Sequence, residues 1–180
     1  MMLEKFLTKN IDVVFGETNE FACQIKLDDN MHGEWLVGKV CFWVSGEMIG
    51  DYEYSISLRD TMFAMRQVVE EQGRRQHDYF LGTSTSEFYN RVYNCMFGNL
   101  PDCDDIQQMQ EEEWGRLLVD IPISAISNPI IYFIEGEIND RIIIIGDNLS
   151  ECKDVYVKSG VFYDIISQAY TYLNEIYLCQ

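Results

Sequence analysis

The chain of 180 residues carries 30 acids against 13 bases, a net charge of −17, and is 47% hydrophobic with ten Phe and eleven Tyr. That length suits one domain, residues 1–180, burying roughly 70% of its unfolded surface, and the aromatic content excludes a disordered chain. The charge argues against nucleic acid and anionic membranes as partners, since both need phosphate-neutralising Lys and Arg, and it favours a basic partner or plain solubility.

The first sixteen residues, MMLEKFLTKNIDVVFG, hold no apolar run of signal-peptide length and are broken by Glu4, Lys5 and Lys9. Ile11, Val13 and Phe15 then alternate into a short first strand that stops at Gly16. Phe21, Cys23, Ile25 and Leu27 alternate with Ala22, Gln24 and Lys26, the cleanest one-faced strand in the chain, ended by Asp28-Asp29-Asn30. Across 34–60 the spacing predicts a hairpin feeding a helix. Leu36, Gly38, Val40, Phe42 and Val44 share one strand face, Ser45-Gly46 makes the turn, and a return strand from Glu47 runs through Tyr54. Four strands with short connections imply an antiparallel meander.

Ser57, with Asp60 three residues on, caps a first helix over about 58–72. Its apolar stripe is Leu58, Met62, Met65 and Val69, and Gly73 is placed to end it in the left-handed conformation. GRRQHDYFLG reads as a loop; Ser84 with Glu87 opens a second helix that buries Phe88, Val92, Cys95 and Met96 and stops at Gly98. Residues 99–116 differ in character. Asp102, Asp104, Asp105, Glu111, Glu112 and Glu113 precede the first base, Arg116, and from Asp102 onward only Ile106, Met109 and Trp114 are large and apolar. This predicts an exposed acidic arm or loose helix.

Strands return at Leu117, Val119 and Ile121, and again at 130–134 and 141–145 around GEIND. The run Ile142–Ile145 is apolar on both faces and suits a central strand, while Val155 and Val157 suit one short strand more. A last helix follows Ser159, with Val161, Phe162, Ile165, Ile166, Ala169, Tyr170, Leu173, Ile176 and Tyr177 on a broad face that docks on the sheet. The expected class is α+β: a mainly antiparallel sheet of about 7–8 strands packed on two to three central helices and a C-terminal helix.

Chemistry is sparse. His32 and His77 both fall in expected loops, and no spacing of His, Cys or carboxylates makes a metal site. Six cysteines without a CxxC pair, in a chain with no secretion signal, read as reduced thiols of a cytoplasmic protein. No phosphate-binding glycine loop occurs, the aromatics are not interleaved with bases, and no cofactor is implied. The apolar runs are strand-sized, too short for a bilayer. Residues 57–101 hold five acids and five bases, so the excess acidity lies on the strands, the 102–113 arm and the end of the chain. A binding protein is the expectation, not an enzyme. Its partner-facing candidates are Asp102, Asp104, Asp105, Glu111, Glu112, Glu113 and Trp114, an aromatic anchor beside a charged rim, with Asp51 and Glu53 on the return strand.

The segment EFACQIKLDD, the Trp35–Gly38 stretch, Phe42-Trp43, Gly50-Asp51-Tyr52-Glu53 and the Ser57-Leu58-Arg59-Asp60 helix entry together resemble immunity-protein family forty-two of bacterial polymorphic toxin systems. The resemblance covers about residues 12–75. It implies a small, non-enzymatic cytoplasmic protein that binds the C-terminal domain of one cognate toxin and occludes its active site. Basic nucleases are common among such toxins and would fit a −17 partner. The other reading is an acidic accessory or regulatory subunit with no toxin partner.

Overall fold

A computed structural model describes residues 12–28, 36–98, 106–126, 128–146 and 149–179. In chain order the described elements begin with β1 (Asp12–Gly16), β2 (Phe21–Leu27), β3 (Val37–Val44), β4 (Glu47–Ile49), β5 (Ile56–Ser57) and α1 (Leu58–Glu70). Next come α2 (Asp78–Gly82), α3 (Thr85–Phe88), a π turn (Tyr89–Tyr93), α4 (Asn94–Phe97), α5 (Ile106–Glu111) and a 3-10 turn (Trp114–Leu117). The chain closes with β6 (Ile130–Ile134), β7 (Asn139–Ile145), β8 (Lys153–Lys158) and α6 (Val161–Leu178). The class is α+β, and the eight described strands form two sheets in which every pairing is antiparallel. The chain divides into two compact units, one of residues 1–71, 121–129 and 160–180, the other of residues 72–120 and 130–159.

The first unit is the predicted meander, ordered β1-β2-β3-β4 with β5 on the free end of β3. Ser45 and Gly46 both take positive φ, 51° and 82°, the backbone of a tight hairpin turn. Leu36, Val40, Phe42 and Val44 are buried on the predicted face, Cys41 is buried on the other, and Phe21 meets Phe42 at 5.6 Å and Phe162 of α6 at 5.1 Å. The return strand is shorter than expected. It ends at Ile49 because Gly50, at φ +104°, turns the chain so closely past Ile123 that a Cβ would lie 2.6 Å from its carbonyl oxygen. Ser57 caps α1 by accepting from the Asp60 amide at 3.3 Å. The buried stripe of α1 is Leu58, Thr61, Met62, Met65 and Val68. Val68 replaces the expected Val69, and Thr61 joins by donating its hydroxyl to the Pro122 carbonyl at 2.8 Å.

In the second unit β7 lies between β6 and β8, and Asp140–Ile145 is buried residue by residue, the central strand its apolar run predicts. The core joins Phe80, Phe88, Val92, Trp114, Leu117, Tyr132, Ile134 and Ile143. Part of the expected 73–82 loop is the helix α2, capped by the His77 ring accepting from the Phe80 amide. Ser84 caps the next helix as predicted, but that helix passes through a π turn, so its buried residues reduce to Phe88 and Val92. The strand expected at 117–121 is not a ladder. Leu117, Val119 and Ile121 are buried in alternation, yet the 3-10 turn takes Leu117 and only an isolated bridge joins Leu118 to Tyr132. Periodicity reports burial there, and a ladder needs a partner strand as well. Cys23, Cys41, Cys152 and Cys179 are free thiols, whereas Cys95 is disulfide-bonded, against the expectation of reduced cysteines throughout. No described helix is long and apolar enough to cross a membrane.

Candidate functional site

The acidic run is built around a corner. Helix α5 ends at Glu111, the Glu112 amide still donates to the Gln108 carbonyl at 2.9 Å, and Glu113 turns the chain with a left-handed φ of 52°. The 3-10 turn that follows drops Trp114 and Leu117 into the core. Trp114 is therefore fully buried, packed edge-on against Phe80 at 4.9 Å, and is not the exposed anchor that its acidic neighbours suggested. Three acids on one side of an aromatic residue say nothing of which way its ring points. Helix α5 itself buries no residue, as its thin apolar face predicts.

Glu111 and Glu113 are exposed, while Glu112 turns back over the buried ring. One Glu112 oxygen accepts from the Trp114 indole and from His77 Nε2, both at 2.8 Å; the other accepts from the Gln108 amide at 2.8 Å. His77 Nδ1 accepts from the Phe80 amide at 3.3 Å, which leaves Nε2 as the protonated nitrogen that donates to Glu112. The donors from Trp114, Gln108 and His77 outweigh the cost of partial burial and bring the Glu112 pKa down to about 2. Arg91 donates to Gln108 at 2.9 Å and lies over the rings of Tyr79, Phe80 and Trp114 at 5.1, 5.9 and 5.5 Å. Arg116 is tied down by donating to the Arg74 and Gln76 carbonyls at 2.7 and 3.1 Å.

Between these elements lies an open depression of about 490 Å³ lined by His77, Asp78, Tyr79, Glu111, Glu112, Glu113 and Arg116. Its carboxylates outnumber its one fixed cation, and both nitrogens of its histidine are engaged. Such a surface suits a cationic partner; no group of three or more metal-ligating side chains is assembled among the described residues. Asp102, Asp104 and Asp105 lie outside the described residues. Asp51 and Glu53 belong to the first unit. Asp51 accepts from the Glu53 amide at 2.9 Å and its own amide donates to Ile123 at 3.4 Å, so it shapes the turn after β4, and Glu53 is exposed. Sequence reasoning missed His77, Gln108 and the direction of Trp114. Histidine and glutamate meet across 35 positions here, and no local pattern carries that information.

A family model described as Immunity protein 42 matches residues 10–172. The chain belongs to this family. Members of Immunity protein 42 act in toxin neutralisation, so the chain has a toxin-neutralising immunity role and a cognate toxin protein as its partner. The Immunity protein 42 chain is similar in fold to CdiI from Burkholderia dolosa AUO158, whose crystal structure superposes with a TM-score of 0.63 at 12% identity, over 88% of this chain and 99% of that one. No match is found among curated proteins.

Proposed function

We propose that this chain protects its host without catalysis, by seating on the C-terminal domain of the cognate toxin and covering that domain's active site. The observation that carries the reading is the acidic depression of the second unit, where Glu111, Glu113 and the solvent side of Glu112 line an open face of a −17 chain. A basic nuclease is the toxin class such a face fits, because a protein that grips a polyanion presents the opposite charge. Asp102, Asp104 and Asp105 extend the same run in sequence, and Glu53, held by the Asp51 turn, is a further proposed contact. Trp114 supports this face from beneath and does not touch the toxin. An interface of about 1,600 Å² would suffice, with acids speeding encounter and buried side chains at its centre supplying most of the affinity. The expected location is the cytoplasm, where the toxin would otherwise act.

Co-expression with the C-terminal domain of the cognate toxin should restore growth, and continued killing at equal expression overturns the reading. Reversing Glu111, Glu112 and Glu113 to Lys should slow association about tenfold at low salt and flatten its dependence on ionic strength. Unchanged association kinetics would remove this face from the interface.

A further inference from the structure

The turn between β6 and β7 presents Ile138 at 77% exposure, an apolar side chain at a hairpin tip where no fold requirement puts one. The turn is held at three points. The Gly136 amide donates to Asp140 at 3.0 Å, the Ser159 hydroxyl donates to the Gly136 carbonyl at 2.9 Å, and the Ser159 amide donates to the Ile138 carbonyl at 2.9 Å. Gly136 sits so close to α2 that a Cβ would lie 2.9 Å from a Leu81 methyl carbon and 2.2 Å from the Asn139 carbonyl oxygen. Tyr156, 52% exposed, is fixed as well: its hydroxyl donates to the Leu81 carbonyl at 2.9 Å and its ring lies 5.6 Å from the Arg141 guanidinium. Between the turn, α2 and β8 is a cleft of about 490 Å³ lined by Asp78, Leu81, Glu137, Ile138, Asn139 and Tyr156. Leu81, Ile138 and Tyr156 form its apolar part, its two charged groups are carboxylates, and Lys158 stands across the ladder from Asn139.

We infer that this cleft receives a long basic side chain, arginine or lysine, from the toxin. The aliphatic stem lies against Leu81, Ile138 and Tyr156, and the cationic head reaches the Asp78 and Glu137 carboxylates, the split between apolar stem and charged head that both side chains possess. An anion is repelled by the two carboxylates, and a second copy of this −17 chain is disfavoured for the same reason. Asp78 lines both this cleft and the acidic depression, so the two form one continuous face of the second unit. The pinned turn and the tethered tyrosine are ordered before binding, which lowers the entropy lost on docking. The inference rests on the toxin-neutralising reading and adds to it an anchor that is not part of the acidic run.

The test uses the full chain and the purified C-terminal domain of the cognate toxin. Ile138→Ala and Glu137→Arg should each raise Kd about tenfold, chiefly through faster dissociation, with melting temperatures near that of the wild type because both side chains are exposed. A photo-crosslinking residue at position 138 should capture the toxin, and one at Thr171 on α6 should not. A toxin lysine or arginine whose alanine substitution is non-additive with Glu137→Arg identifies the side chain that enters the cleft. Wild-type binding with unchanged Kd in both variants overturns the cleft and leaves the immunity mechanism standing. Failure of the wild-type chain to bind overturns both.

Discussion

Trp114 and Glu112 show how one side chain sets the role of its neighbour. The indole fills the core of the second unit beside Phe80 and Phe88, and its N–H needs an acceptor that Glu112 supplies at the rim. Trp114→Ala should therefore cost about 3–5 kcal/mol in urea unfolding, the range for a large aromatic removed from a packed site. A loss below about 1 kcal/mol would mean the ring is not a core element. The Glu112 carboxylate, with its pKa near 2 against roughly 4.3 when unfolded, contributes stability that is fully present above the unfolded value and lost as pH falls towards 2. Its side chain is 38% exposed, so solvent screening reduces that contribution to about 1 kcal/mol. Glu112→Gln should be less stable than the wild type by that amount at about pH 7, and the gap should shrink by about pH 3. A gap constant over that interval would show that the charge of Glu112 plays no part. Arg141 and Asp154 form a comparable pair in the sheet. Burial works against the Asp154 carboxylate, but hydrogen bonds from Arg141, at 2.9 Å through Nε, and from Thr85 outweigh it and hold its pKa below the usual range.

Among the elements, those with strong local signals stand where their residues place them. The β2–β3 pair, the Ser45-Gly46 turn, the Ser57 cap and the amphipathic α6 each depend on contacts within a few residues or on one buried face. The elements that differ are governed by distant neighbours. Strand β4 is cut short by the close approach of Ile123 to Gly50, and α2 is stabilised by packing Phe80 into the second core, a helix of five residues too short to hold by itself. Gly50→Ala tests the first of these. The substitution sets a Cβ 2.6 Å from a backbone oxygen at a φ of +104°, and should cost more than about 2 kcal/mol. Gly46→Ala, where nothing lies within 4 Å, bears the φ penalty alone and should cost about 1 kcal/mol. Equal losses at the two positions would refute the close-approach account.

For the whole molecule, the chain passes between its two compact units four times, and neither unit is a continuous segment. The first unit is complete only when α6, about ninety residues beyond α1, packs beside it. We expect one cooperative unfolding transition on this account. A chain with Phe at positions 35 and 43 leaves Trp114 to report on the second unit, and Trp114→Phe leaves Trp35 and Trp43 to report on the first. Coincident urea curves support a single folding domain, and separate midpoints divide it in two. The −17 charge acts at this scale too: its field would steer the basic partner proposed above from beyond contact distance, and it falls away as salt rises.

Composition, hairpin chemistry and helix caps determined the α+β class, the antiparallel pairing and the buried faces of β2, β3 and β7, because each follows from neighbours two to four residues apart. The resemblance carried by 12–75 pointed to the family, and Gly50, Asp51 and Ser57 within it have structural tasks in turn and cap. The tertiary structure alone decided that Trp114 faces inward, that His77 holds Glu112, and that Ile138, Asp78 and Tyr156 share one cleft. His77 is 35 positions from Glu112, and Asp78 is 60 from Ile138 and 78 from Tyr156; only the folded chain, by closing those loops against their entropy, places them side by side.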